Sequence, residues 1–177
     1  MDSTALGPFI PQKKYQPHTK SDYRRYVDEI TLDPSIKFTL QNPNQGGIPL
    51  RDALTSRFMR LVGRDDLMFV QRGPSISIRL EWQGYQSWSR QIPTRDFRNP
   101  PGPITRAKLA KNVAKSVDRF INEHKDLQLE RGADPKWRVG PGYIDIDNLI
   151  LVELQHVSMG SWQAHLRLAH PIHPMTS

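Results

Sequence analysis

The chain of 177 residues contains no cysteine. That single absence removes disulfide frameworks, thiolate zinc sites and cysteine nucleophiles together, and leaves His, Asp and Glu as the side chains from which a metal site would have to be built. Apolar residues are also scarce, at 37% against a usual value of roughly 45 to 50%. No apolar run approaches the ~18 residues that a membrane span needs. The opening stretch, MDSTALGPFIPQKKYQP, lacks the basic-then-apolar layout of a signal peptide. The expectation is an intracellular, soluble protein of the cytoplasm or nucleus with no membrane partner. Gly-rich nucleotide loops, nucleophile elbows and paired acid-base sites are missing as well, so the sequence points to a non-enzymatic protein and calls for no cofactor.

What the chain does have is proline and positive charge. Proline accounts for 15 residues, about 8% against a usual ~5%, which implies one modest core and a good deal of irregular chain. Lys and Arg number 25 against 18 Asp and Glu, a net charge of +7. Such an excess favours an anionic partner, with nucleic acid first.

Five prolines break residues 1–44 before any helix can grow, so this part reads as a partly disordered arm. Within it, residues 23–30 suit one or two helical turns and residues 36–40 a strand alternating Ile36, Phe38 and Leu40. Residues 45–169 form a single α+β domain, and residues 170–177 a tail. A helix is predicted over 49–62, with Pro49 at its first position and Leu50, Ala53, Leu54, Phe58 and Leu61 on one face. Three strands are predicted at 66–71, 75–82 and 87–94. A Pro-rich loop leads into the strongest helix, 105–123. Two strands, 149–157 and 161–169, close the domain, joined by a loop in which Gly160 suits a positive φ. The predicted fold is an antiparallel sheet of about five strands with two helices packed on it, a helix-strand-strand-strand-helix core followed by a C-terminal hairpin.

The helix over 105–123 carries the clearest functional signal. Leu109, Ala110, Val113, Ala114, Val117, Phe120 and Ile121 gather within an arc of roughly 140°, while Lys108, Lys111, Lys115 and Arg119 fall inside an arc of roughly 80° on the other side. Cations spaced three and four apart on a helix with a buried far side present a rigid row, and a phosphate backbone is recognised by such a row. The alternative is an ordinary solvated face, lysine being a favoured surface helix former. Arg106 and Arg51 are the next candidates to assist.

The order of elements in residues 49–123 resembles the double-stranded RNA-binding domain. Gln71-Arg72-Gly73-Pro74 is similar to that family's Gly-Pro turn, and Lys108-Leu109-Ala110-Lys111-Asn112-Val113-Ala114 to its Lys-x-Ala-Lys-x-x-Ala signature. The resemblance implies that Lys108 and Lys111 touch phosphates across the major groove while the first helix and the Gly73-Pro74 loop probe the minor grooves, reading duplex RNA by shape. Residues 75–94, the long helix and the late hairpin also resemble the hairpin-helix-strands order of ubiquitin-like β-grasp domains, which mostly bind proteins. On that likeness the chain is an interaction or scaffold module, able to bind a partner protein or itself, and the lysines face solvent.

Other constellations point to packing. Trp82, Tyr85 and Trp88 surround a hairpin turn and could stack on unpaired bases, but Trp82 continues the apolar face of Ile76, Ile78 and Leu80. Of the late histidines, His156 and His165 fall on opposite faces of the final hairpin, and His170 and His173 sit in the tail, so no metal site is expected. Asp145, Asp147 and Glu153 carry the only hint of a metal-dependent nuclease, and Gln155 stands where such a triplet would need lysine.

Overall fold

In the computed structural model, which describes residues 5–171, the chain is an α+β protein, as the sequence predicts. Its main sheet has six strands. In chain order the strands are β1 (Ile36–Lys37), β2 (Thr39–Leu40), β3 (Gln45–Gly46), β4 (Ile48–Pro49), β5 (Ser75–Leu80), β6 (Trp88–Pro93), β7 (Arg95–Asp96), β8 (Gly102–Pro103), β9 (Leu149–Ser158) and β10 (Ser161–Leu168). The helices are α1 (Lys20–Tyr23), which runs on into a wider π-helical turn at Arg24–Asp28, α2 (Leu50–Leu54) and α3 (Arg106–His124).

Two hairpins build the sheet. β5 and β6 pair from Ser75↔Pro93 to Leu80↔Trp88, and β9 and β10 pair from Leu149↔Leu168 to Ser158↔Ser161. They join through β10, which lies parallel to β5 in the register Ser161↔Ser77 to Gln163↔Arg79. The order is therefore β1-β9-β10-β5-β6, with β4 also on β9. The predicted all-antiparallel sheet is thus a mixed one. Alternating apolar residues bury one face whichever way a neighbour runs, so the alternation cannot report direction. The turn between β9 and β10 has only Met159 and Gly160. Gly160 does not take a positive φ, and its carbonyl instead accepts the Ser77 amide at 2.8 Å, which helps set the parallel register.

α3 lies on the core face of this sheet. The Thr105 hydroxyl accepts the Lys108 amide and caps its start, satisfying one of the free N–H groups of the first turn. Leu109, Ala110, Val113, Ala114, Val117 and Phe120 are all fully buried.

Three predicted elements differ. The helix expected over 49–62 is only α2, five residues long. Pro49 belongs instead to β4, where it pairs with Ile150. The Thr55 hydroxyl donates to the Arg51 carbonyl at 2.8 Å, Ser56 takes φ +60°, and the chain turns so that buried Leu61 bridges Leu40. Long-range pairing overrides helix propensity here. The strand expected at 66–71 is a series of turns with Phe69 and Gln71 at positive φ. This segment docks on the start of α3, through Met68 N–H to Ile104 O (2.8 Å) and Arg106 N–H to Asp66 O (2.8 Å). The single strand expected at 36–40 splits into β1 and β2 on different sheets, hinged on fully buried Phe38.

The described part of the N-terminal arm is bonded to the sheet. Gly7 and Ile10 donate to the carbonyls of Leu168 and Leu166, both at 2.8 Å, so residues 7–10 continue the sheet beside β10 where β5 has ended. Ile10 is buried. The Gln12 side chain then receives the Glu81 amide (2.8 Å), Tyr15 N–H donates to the buried Gln163 side chain (2.8 Å), and the Arg79 guanidinium lies over the Tyr15 ring at 4.2 Å. The π-helical turn packs on β9, with the Tyr26 carbonyl accepting the Met159 amide (2.8 Å). The arm is a strap that leaves one side of the sheet and returns as β1 on the other.

Candidate functional site

The six candidate cations divide into two groups. Arg106 is tied down: it donates to Lys37 O at 2.7 Å and Gly63 O at 3.3 Å, lies 3.6 Å from Asp66, and its side chain is only 19% exposed. Arg51 pairs with Asp147, Nε to Oδ1 at 2.7 Å. This bond holds the Asp147 carboxyl below its ordinary range and raises the Arg51 guanidinium. Arg119 pairs with Glu123 at 2.9 Å, one helical turn on. Glu123 also accepts Trp88 Nε1–H at 2.8 Å. The Arg119 bond first, and the Trp88 bond second, hold that carboxyl below its usual value.

The lysines are different. The side chains of Lys108 and Lys115 have no hydrogen-bond or ion-pair partner among the described residues, and the ammonium of Lys111 donates only to the Ser56 hydroxyl, at 2.8 Å. That contact joins the lysine face of α3 to the loop after α2. The Ala107 amide donates to Arg64 O at 3.0 Å on the same loop. The loop thereby brings Arg57 and Arg64, both exposed, to the lysine face. Arg57 has no carboxylate partner among the described residues, while Arg64 lies 3.7 Å from Asp65. Sequence reasoning missed Arg57 because it falls inside the over-long predicted helix, where its facing is wrong, and Arg64 because it lies in the turn between predicted elements, outside any periodic face. The cations without a carboxylate partner among the described residues are Lys108, Lys111 and Lys115 on α3 and Arg57 on the loop that Ser56 and Arg64 pin to it.

The Gly73-Pro74 turn sits near the N-terminal end of α3. Gly73 O accepts the Thr94 hydroxyl (2.6 Å) and Pro74 O the Thr94 amide (3.0 Å), while Thr94 O accepts the Ile104 amide (3.0 Å), one residue before the cap.

The remaining candidates have structural tasks. Trp82 and Tyr85 are buried. Both pack on Phe120, Trp82 Nε1–H donates to Trp137 O at 2.6 Å, and Tyr85 Oη accepts the Val139 amide at 3.0 Å. Trp88 is the member of the cluster that is partly open. His156 stacks on Trp162 at 4.3 Å and accepts the Asp33 amide through Nδ1 (2.8 Å). His165 meets Gln155 at 2.8 Å, and burial pushes its pKa down against the opposing pull of Glu153 across the strands. His173 lies outside the described residues. Asp145 caps the short turn at Ile146–Asn148, Asp147 is held by Arg51, and Glu153 faces His165, so the three carboxylates do not converge. Among the described residues, no group of three or more His, Asp or Glu is placed to hold a metal ion, and no helix is long and apolar enough to cross a membrane. Comparison with protein-family models, with curated proteins and with solved structures finds no match for this chain.

Proposed function

We propose that the protein is a non-enzymatic module that docks on the backbone of duplex nucleic acid, duplex RNA first, through Lys108, Lys111, Lys115 and Arg57. The observation that carries this reading is the contrast between these four cations, none bonded to a carboxylate among the described residues, and Arg106, Arg51 and Arg119, each already paired. A cation without an internal partner is available to a phosphate, and each phosphate neutralised releases condensed counterions. Four such contacts give a slope of log K against log salt of ~ −3 to −4. The three lysines sit on a helix whose other side is core, and Arg57 on the loop bonded to it, so docking orders little new structure. The Lys108–Ala114 segment, through its likeness to the double-stranded RNA-binding signature, favours RNA. On this reading the protein works in the cytoplasm or nucleus.

The test is a titration of labelled duplex RNA, duplex DNA and single strands at two salt concentrations, with the wild type and a Lys108→Ala, Lys111→Ala, Lys115→Ala variant. The variant is expected to keep its thermal stability and lose most of its affinity. Absence of duplex binding by the wild type at low salt sinks the proposal.

One observation favours a second reading, a protein-interaction module. The hairpin β5–β6, then α3, then β9 and β10 follow the hairpin-helix-strands order by which the chain resembles β-grasp domains, and among the described residues β6 ends the sheet with an unpaired edge. Light scattering tests self-association: a monomer at every concentration argues against assembly with its own copies.

A further inference from the structure

Beyond the C-terminal end of α3, away from the lysine face, the β5–β6 turn and the segment after the helix enclose an open cleft of about 740 Å³, within the size range of small-molecule sites. Its walls are fixed by bonds already in place. Gly84 O accepts the Glu130 amide at 2.9 Å, and Gly84 takes φ +93° so close to Leu129 that a Cβ would lie 2.4 Å from Cδ2. Behind the turn, Trp82 and Tyr85 are anchored to Trp137 and Val139.

Glu81 stands in this cleft, and its environment is unusual. The residue is 6% exposed. The Ser87 hydroxyl donates to Oε2 at 2.5 Å, and the Glu81 amide goes to Gln12. No cation reaches ion-pair distance of the carboxylate among the described residues. Oε1 accepts no hydrogen bond from the described residues, and Glu81 lines the cleft with the carboxylates of Glu130 and Asp134 and the cations of Lys13 and Arg131. Buried carboxylates are normally compensated by a cation. Here the fold supplies a hydroxyl for one oxygen and no bond for the other, in a cleft whose lining carries three carboxylates, Glu81, Glu130 and Asp134, against two cations, Lys13 and Arg131, neither of them within ion-pair distance of Glu81.

We infer that this cleft binds an organic cation, a guanidinium or primary ammonium group, seated on Glu81. Its N–H donors meet Oε1, and Ser87 holds the carboxylate in place. Among those two groups a guanidinium fits best, because its planar fork presents two parallel donors to a carboxylate. The cation is either a free small molecule or the side chain of a partner polypeptide, and the same chemistry serves both.

The experiment is an amide-resolved NMR titration with agmatine, and separately with a capped Gly-Arg-Gly peptide, on the wild type and on Glu81→Gln, which keeps the shape and the Ser87 bond while removing the charge. The expected result is saturable binding with shifts centred on residues 81–87 and 130–134, weakened roughly tenfold to a hundredfold by Glu81→Gln, the range set by one charged hydrogen-bonded pair. Binding of agmatine assigns a free ligand, and binding of the peptide alone assigns a polypeptide partner. The proposal is overturned if neither saturates at concentrations on the order of 10 mM, if the shifts centre elsewhere, or if Glu81→Gln binds as tightly as wild type. Should Glu81→Gln fail to fold, the shift map of the wild type decides alone.

Discussion

Replacing Arg106 by methionine separates the cations that build the fold from those free to meet a partner. Arg106 ties Lys37 at the end of β1, Gly63 in the loop after α2 and Asp66 to the first turn of α3. The 2.7 Å bond to Lys37 O is a charged hydrogen bond, worth ~1.5 to 3 kcal/mol. The 3.3 Å bond to Gly63 O is long and adds at most about 0.5 kcal/mol. The 3.6 Å pair with Asp66, whose side chain is 63% exposed, adds about 0 to 1 kcal/mol. Lys37 and Gly63 both line an open cleft that water can enter once the guanidinium is gone, so the total stays near the lower half of the range, about 2 to 3 kcal/mol. Methionine retains much of the stem packing. For a chain of this size that loss corresponds to a fall of roughly 5 to 10 °C in Tm. Urea denaturation and a thermal scan measure it, and a duplex titration on the same samples, under conditions where the variant is folded, should show the wild-type salt slope. Lys115→Ala should behave in the opposite way: stability within about 0.5 kcal/mol of wild type, and a salt slope shallower by ~0.9. If Arg106→Met is as stable as wild type but flattens the salt dependence as Lys115→Ala does, Arg106 faces the partner and this division of the cations is wrong.

Phe120→Ala should cost ~3 to 5 kcal/mol in urea denaturation, since the fully buried ring carries Trp82, Tyr85, Trp88 and His124 around it; a loss below about 1 kcal/mol would contradict the packing described. His165 is held below its ordinary pKa in the folded state, so the unfolded chain binds the proton more readily. Stability should therefore fall as pH drops through the ordinary histidine range, and denaturation curves at several pH values should show a flatter profile for His165→Gln. Gly84→Ala should destabilise by ~1 to 3 kcal/mol, because alanine is strained at φ +93° and its Cβ meets Leu129; circular dichroism melting checks this. Deleting residues 1–15 should lower the Tm and promote self-association visible by light scattering, because it uncovers Ile10's seat and leaves the Leu166 and Leu168 carbonyls unpaired.

Sequence patterns recovered the elements whose partners matter least. The helix expected at 105–123 is Arg106–His124 with Thr105 as its cap, and the four long strands lie within a residue or two of their predicted positions, because each has an apolar period strong enough to be seen locally. The lysine face was legible for the same reason. What was not legible depends on residues far away in the chain. Arg51, Arg106 and Arg119 look alike in the sequence, yet the partners of Arg51 and Arg106 stand up to 96 and 69 residues away. Arg57 was hidden because the predicted helix ran past the point where Thr55 and Ser56 turn the chain. The strap at residues 7–15 has no period, since it docks through isolated backbone bonds and single side chains rather than a repeating face. Glu81 reads as the polar member of an alternating strand, and only the fold shows that it is enclosed.

The pairing of Gly7 and Ile10 with Leu168 and Leu166 also fixes an order of events during synthesis. The strap emerges early, but the strand it completes is made some 150 residues later. At ~5 to 20 residues per second it waits on the order of ten seconds for β10, with the contact of Gln12 to Glu81 available sooner. Closing so long a loop is entropically costly and belongs to the slow, non-local steps of folding. The backbone of residues 7–10 is therefore secured only once β10 has been made, and until then it is what a chaperone would meet.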